Sequence, residues 1–177
     1  MASLMGLYIS KASPQHPGFL LAMVFALFGD IFLLFEGDLF FKLGLACFLV
    51  MQLFYIAYFN RNRTGFTQIK MVIILGVLIT CVLFLFYAFD RLGENRIYVI
   101  AYSIALSTMA VFAVLRSSRF IFGPLALGAC LFVISDLALA WNKFIKVFEG
   151  AGILILLTYA LAQFLILNGV IFDESKK

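Results

Sequence analysis

Along the chain, apolar runs alternate with short polar breaks. Six runs lie near 18–35, 39–59, 70–89, 97–115, 120–141 and 150–171. Each is long enough to cross a hydrocarbon core of roughly 30 Å at about 1.5 Å per helical residue. The breaks carry charges, Asn or Gly: "FEGD", "NRNRTGFTQ", "DRLGENR", "RSSR" and "NKFIKVFEG". The pattern predicts an all-α, polytopic transmembrane helical bundle of about six spans. Residues 18–171 are expected to form one transmembrane helical domain, between an N-terminal peripheral arm (1–17) and a polar C-terminal tail (172–177). The apolar part of the arm, residues 4–9, is too short for a signal peptide, and the run from 18 contains Asp30 instead of a small-residue cleavage site. Pro14 and Pro17 make the arm a poor helix. No internal repeat, linker or low-complexity tract stands out.

Composition agrees with the pattern. The chain is 65% hydrophobic and 12% charged, with a mean hydropathy of +1.12, too little polar surface for a soluble domain. Cys47, Cys81 and Cys130 each fall inside an apolar run, without a CxxC or a nearby His, so they read as buried thiols and not as a disulfide framework or zinc site. The net charge of +4 contains no basic block, which leaves nucleic acid without support. His16 sits alone beside prolines, reads as solvated, and offers no metal cluster. No GxSxG, HExxH or P-loop pattern occurs.

Cation asymmetry sets the expected orientation. Lys11, Arg61, Arg63, Lys70, Arg116, Arg119, Lys176 and Lys177 fall on the side of both termini. Lys42, Arg91, Arg96, Lys143 and Lys146 fall on the other, offset by Glu36, Asp38, Asp90, Glu94 and Glu149. Both termini are therefore expected to be cytoplasmic, with Trp141 at the far interface.

Of nine acidic residues, Asp30 and Asp136 are the two inside spans. A charged Asp near the bilayer centre costs about 2.5–3.5 kcal/mol on insertion scales, so such a residue marks a functional site by default. Counting from the span centres, Asp30 lies roughly 4–5 Å and Asp136 roughly 7 Å toward the far side, on spans that run the same way. If those spans are neighbours, the acids can face one cavity. Neither has a cation at i±3 or i±4 on its own helix. Burial without a cation favours the neutral carboxyl, and two acids sharing a site would hold one proton between them. That arrangement suits general acid–base chemistry. The structural alternative is that each Asp bonds across helices and holds the bundle together.

Other polar groups accompany the acids. Gln52 and Tyr55 share a face of the second span. Tyr102, Ser103 and Ser107 lie on the fourth, Ser135 and Asn142 on the fifth, and Thr158, Tyr159 and Gln163 on the sixth. Each alone reads as interhelical glue. Together they would line a polar cavity, with Gln52, Tyr55, Tyr102, Ser135, Asn142, Tyr159 and Gln163 as candidate substrate contacts. Gly29 and Gly128 read as packing positions.

The segments "FALFGDIFLLF", "FFKLGLACFLVMQLFYIAYF", "GACLFVISDLALAWNKF" and "GAGILILLTYALAQFLI" resemble the lysoplasmalogenase (YhhN-like) integral membrane family, in order, over most of residues 22–168. The resemblance implies a membrane hydrolase that cleaves the vinyl-ether bond of lysoplasmalogen to a fatty aldehyde and a glycerophospho-ethanolamine or -choline. It also implies that Asp30 and Asp136 match the family's two intramembrane aspartates, proposed as catalytic. Departures are the six spans plus an arm, where many members have eight spans, and Gln52, where many carry His. The implied partners are a lysophospholipid substrate and membrane lipids, with no cofactor and no metal required. Two other classes remain open: a small proton-coupled transporter, against which the lack of visible inverted repeats counts, and a non-catalytic lipid-binding membrane protein. With no visible eukaryotic sorting signal, a bacterial inner (plasma) membrane is the expected location.

Overall fold

The computed structural model describes residues 1–12, 15–61, 65–117 and 123–174. They form seven α-helices: α1 (Ala2–Lys11), α2 (Pro17–Leu33), α3 (Asp38–Phe59), α4 (Gln68–Ala88), α5 (Arg96–Arg116), α6 (Pro124–Phe144) and α7 (Ala151–Glu174). Two short 3₁₀ turns join α4 to α5. Among the described residues there is no strand, and α3 to α7 are each long and apolar enough to cross a membrane. Helix α2 is apolar and shorter, at 17 residues. The chain is an integral, multi-pass membrane protein. The expected fifth span begins later than the apolar run suggested, at Pro124, and its first residues, 120–122, lie outside the described residues.

Local chemistry sets the helix ends. Pro17 and Pro124 occupy first turns, where a missing N–H costs nothing. Thr67 Oγ1 caps α4 by accepting from Lys70 N at 3.4 Å. The chain reverses between α2 and α3 at Gly37 (φ 119°) and before α7 at Gly150 (φ 78°), a conformation that side-chain-bearing residues resist. In the arm, α1 is helical where prolines had argued against a helix. Pro17 lies beyond its last residue, Lys11, and Pro14 is outside the described residues, so the ring constraint does not reach Ala2–Lys11. Its Tyr8 is fully buried and packs on Phe19 of α2.

Helices α2 and α3 pair closely, as do α6 and α7, and α5 packs against α3, α4 and α6. The small buried residues Ser103, Ala105, Ser107, Ala110 and Ala113 let α5 take this enclosed place. Helix α4 instead exposes Leu75, Val82, Leu83 and Phe86, the surface a bilayer covers. The expectation for Gly128 holds: a Cβ there would stand 2.8 Å from both Ala162 O and Ile166 N, backbone atoms of α7. Gly128→Val is expected to destabilise the bundle by about 1–3 kcal/mol, read as a lower unfolding midpoint in detergent; an unchanged midpoint would remove this contact from the account.

At the end where α3 finishes and α4 begins, cations cap helix termini. Lys70 Nζ donates to Ser117 O (2.8 Å) and Leu115 O (3.3 Å), closing the end of α5. Arg116 Nη1 donates to Tyr58 O (2.9 Å) and Arg61 O (2.8 Å), closing the end of α3. Both side chains are buried, so these two of the counted loop cations serve orphan helix carbonyls. Arg63, Arg119, Lys176 and Lys177 lie outside the described residues. His16, expected to be solvated, is half-buried. Its ring meets Tyr58 edge-on at 4.9 Å and its Nε2 lies 2.6 Å from Arg61 Nη1.

Candidate active site

The two intramembrane acids occupy the half of the bundle opposite that capped end. Asp30 stands three residues before the end of α2, and Asp136 eight residues before the end of α6. Helices α2 and α6 are not a packed pair. The neighbouring-span expectation is therefore replaced by a less direct arrangement, in which each acid faces a tyrosine.

Tyr102 of α5 donates its hydroxyl proton to Asp136 Oδ2 at 2.6 Å, a short hydrogen bond for two oxygens. Tyr159 of α7 approaches Asp30 and also neighbours Tyr102. Its hydroxyl is buried and makes no hydrogen bond of ordinary geometry. The N-terminal ammonium of Met1 lies 3.6 Å from Asp30 Oδ2, a cation that a count of Lys and Arg does not include. Each acid thus has a tyrosine beside it, and the two tyrosines approach each other.

The other candidates divide. Tyr55 donates to Gln163 Oε1 at 2.8 Å, and Gln163 Nε2 contacts Met51 Sδ at 3.4 Å, a buried tie between α3 and α7. Gln52 is fully buried beside Tyr102, and both polar atoms of its amide lack a hydrogen-bond partner. Ser135 and Asn142 are used structurally. Ser135 Oγ donates to Ile155 O at 3.0 Å, and Asn142 Oδ1 accepts from Phe148 N at 3.3 Å.

Asp136 opens onto a cleft among α2 to α6 with about 40 Å³ of free volume. Asp136, Tyr102 and Ser103 supply its oxygen atoms, and aliphatic and aromatic side chains such as Leu45, Phe84 and Leu106 make up most of the rest. Asp30, Gln52 and Tyr159 do not line it. Phe48 connects the two parts: it lines the cleft, sits where a Cβ on Gly29 would stand 2.8 Å from its ring, and meets Tyr159 edge-on at 5.8 Å. Cys81, read as a plain buried thiol, is buried and also lines the cleft. Among the described residues no group of acids, His and Cys is arranged to hold a metal. The arrangement offers one carboxyl group in an apolar slot and a second beyond an aromatic wall.

No solved structure matches the chain. Lysoplasmalogenase TMEM86A of Bos taurus is 29% identical over 172 residues, covering 91% of this chain and 68% of that protein. A family model described as the YhhN family matches residues 1–170, and with nearly the whole chain inside that match, the protein belongs to the YhhN family.

Proposed function

We propose that this protein is a membrane hydrolase that cleaves the vinyl-ether bond of lysoplasmalogen by carboxylate acid–base chemistry. The substrate class follows the bovine relative's name. The observation that carries the mechanism is the placement of Asp136: among the described residues it is the one carboxyl group lining the apolar cleft.

A vinyl ether is protonated at its β-carbon, which moves positive charge onto the adjoining carbon and oxygen. Asp136 is the proton donor in this reading, since a vinyl ether that enters the cleft by displacing its apolar side chains brings its double bond against that carboxyl. The Tyr102 hydroxyl occupies Oδ2, which leaves Oδ1 to carry the proton. Water, admitted where the Phe48 ring moves aside, adds to the oxocarbenium carbon and gives up its proton to Asp30, the acid beyond Phe48 and beside Tyr159. In the collapse of the resulting hemiacetal, the glycerol oxygen leaves with the proton held on Asp30. The hemiacetal hydroxyl returns a proton to Asp136. One water is consumed, a fatty aldehyde and a glycerophospho-alcohol are released, and both acids are reset. The division of labour parallels the two-carboxylate logic of glycosidases.

The test is incubation of the purified protein with lysoplasmalogen in mixed micelles, following fatty aldehyde, beside an ester lysophospholipid control. Aldehyde from the vinyl ether with no fatty acid from the ester is expected. Absence of aldehyde from protein of verified fold would sink the proposal.

A further inference from the structure

A second groove runs along the lipid-facing side of the bundle between α4 and α6. It is lined by Thr80, Leu83, Phe84, Tyr87, Leu137 and Trp141. Two of these, Phe84 and Leu137, also line the cleft that holds Asp136. One wall of two side chains therefore separates the membrane face from the carboxyl. Helices α4 and α6 touch sparsely compared with the tightly joined α6 and α7.

The groove is built for an amphiphile. Leu83 is 61% exposed at its apolar floor. Toward the ends of α4 and α6 it is closed by Tyr87 and Trp141, stacked at 5.6 Å and 7°. Arg91 lies beyond them, with its guanidinium 4.7 Å from the Tyr87 ring centroid and its Nη1 donating to Tyr87 O at 3.0 Å. Among the described residues Arg91 has no ion-pair partner. An aromatic pair topped by a cation is the chemistry of a membrane interface that receives a phosphate, and Asp90, the adjacent acid, favours a zwitterionic headgroup over a purely anionic one.

We propose that the α4–α6 groove is the docking site through which a single-chain phospholipid enters from the bilayer, with its phosphate at Arg91 and its chain along Leu83, and that Phe84 and Leu137 form the wall it displaces to reach Asp136. The inference rests on the lysolipid reading above for the occupant. The wall that the two cavities share, Phe84 and Leu137, supplies the route, and the single-chain shape follows from a groove between only two helices.

The experiment uses the full chain in proteoliposomes and a non-cleavable alkyl-ether lysophospholipid that carries a diazirine in its chain, so its readout does not depend on turnover. Cross-links are expected to concentrate on α4 and α6 and to be competed by unlabelled alkyl-ether lysophospholipid. Thr80→Trp, which fills the groove, is expected to weaken that labelling about tenfold, whereas Leu75→Trp, on an exposed part of α4 outside the groove, leaves it unchanged. Labelling spread evenly over the lipid-facing helices, or labelling unaffected by Thr80→Trp, would overturn the proposal. If labelling behaves as expected and no vinyl ether is hydrolysed, the groove stands and the hydrolase reading fails.

Discussion

Asp136→Asn is expected to lower fatty-aldehyde release by about 10²–10⁴-fold, the range for loss of a positioned proton donor, while the protein stays folded. Asn matches Asp in shape, and its amide oxygen can still accept the Tyr102 hydroxyl now bonded to Oδ2 at 2.6 Å. The α5–α6 contact therefore survives. What disappears, on the proposed mechanism, is the carboxyl proton offered to the double bond in the cleft that Asp136 lines. Turnover in detergent-purified protein, with the unfolding midpoint as a check on fold, measures the effect. An Asp136→Asn protein with full activity would show that the carboxyl is a helix tie and no more.

Asp30→Asn is expected to cost a similar factor, roughly 10²–10⁴, for a different reason that can be observed separately. In this variant Asp136 still protonates the β-carbon, but the proton acceptor for water is lost. Run in deuterated water, the reaction should then reverse before water is captured, and recovered substrate should carry deuterium at the vinyl β-carbon with little aldehyde formed. Asp136→Asn should leave the recovered substrate unlabelled. Deuterium exchange that persists in Asp136→Asn, or that is absent from Asp30→Asn, would reverse or dissolve the division of roles. Met1 and Tyr159 both lie against Asp30, so this variant also needs its unfolding midpoint measured.

The helical class and the six apolar runs were legible because a bilayer imposes a length and a polarity on each crossing segment, and both are written locally. The two acids were legible for the same reason, since a carboxyl is expensive in hydrocarbon and conspicuous against it. The polar candidates were harder to sort. Tyr102 and Ser135 look alike as span residues, yet one bonds the Asp136 carboxyl and the other a backbone carbonyl of α7. Spacing on one helix gives the face a side chain occupies. It does not give the helix that face meets. The same limit hid Cys81 and Phe48, apolar by type, which became lining residues through what they were packed against.

From the sequence alone came a multi-pass helical membrane protein, two intramembrane carboxyls on spans of one direction, and the resemblance that the family match bears out. Tertiary structure alone decided that the helices carrying the acids are not a packed pair, that Tyr102 bonds Asp136 while Tyr159 approaches Asp30, and that only Asp136 among the described acids lines the apolar cleft. Burial and hydropathy act residue by residue and can be read along a chain. Neighbour relations between helices are set by shape, such as Gly128 admitting the backbone of α7 and the small residues of α5 admitting three partners, and those contacts join positions far apart in sequence.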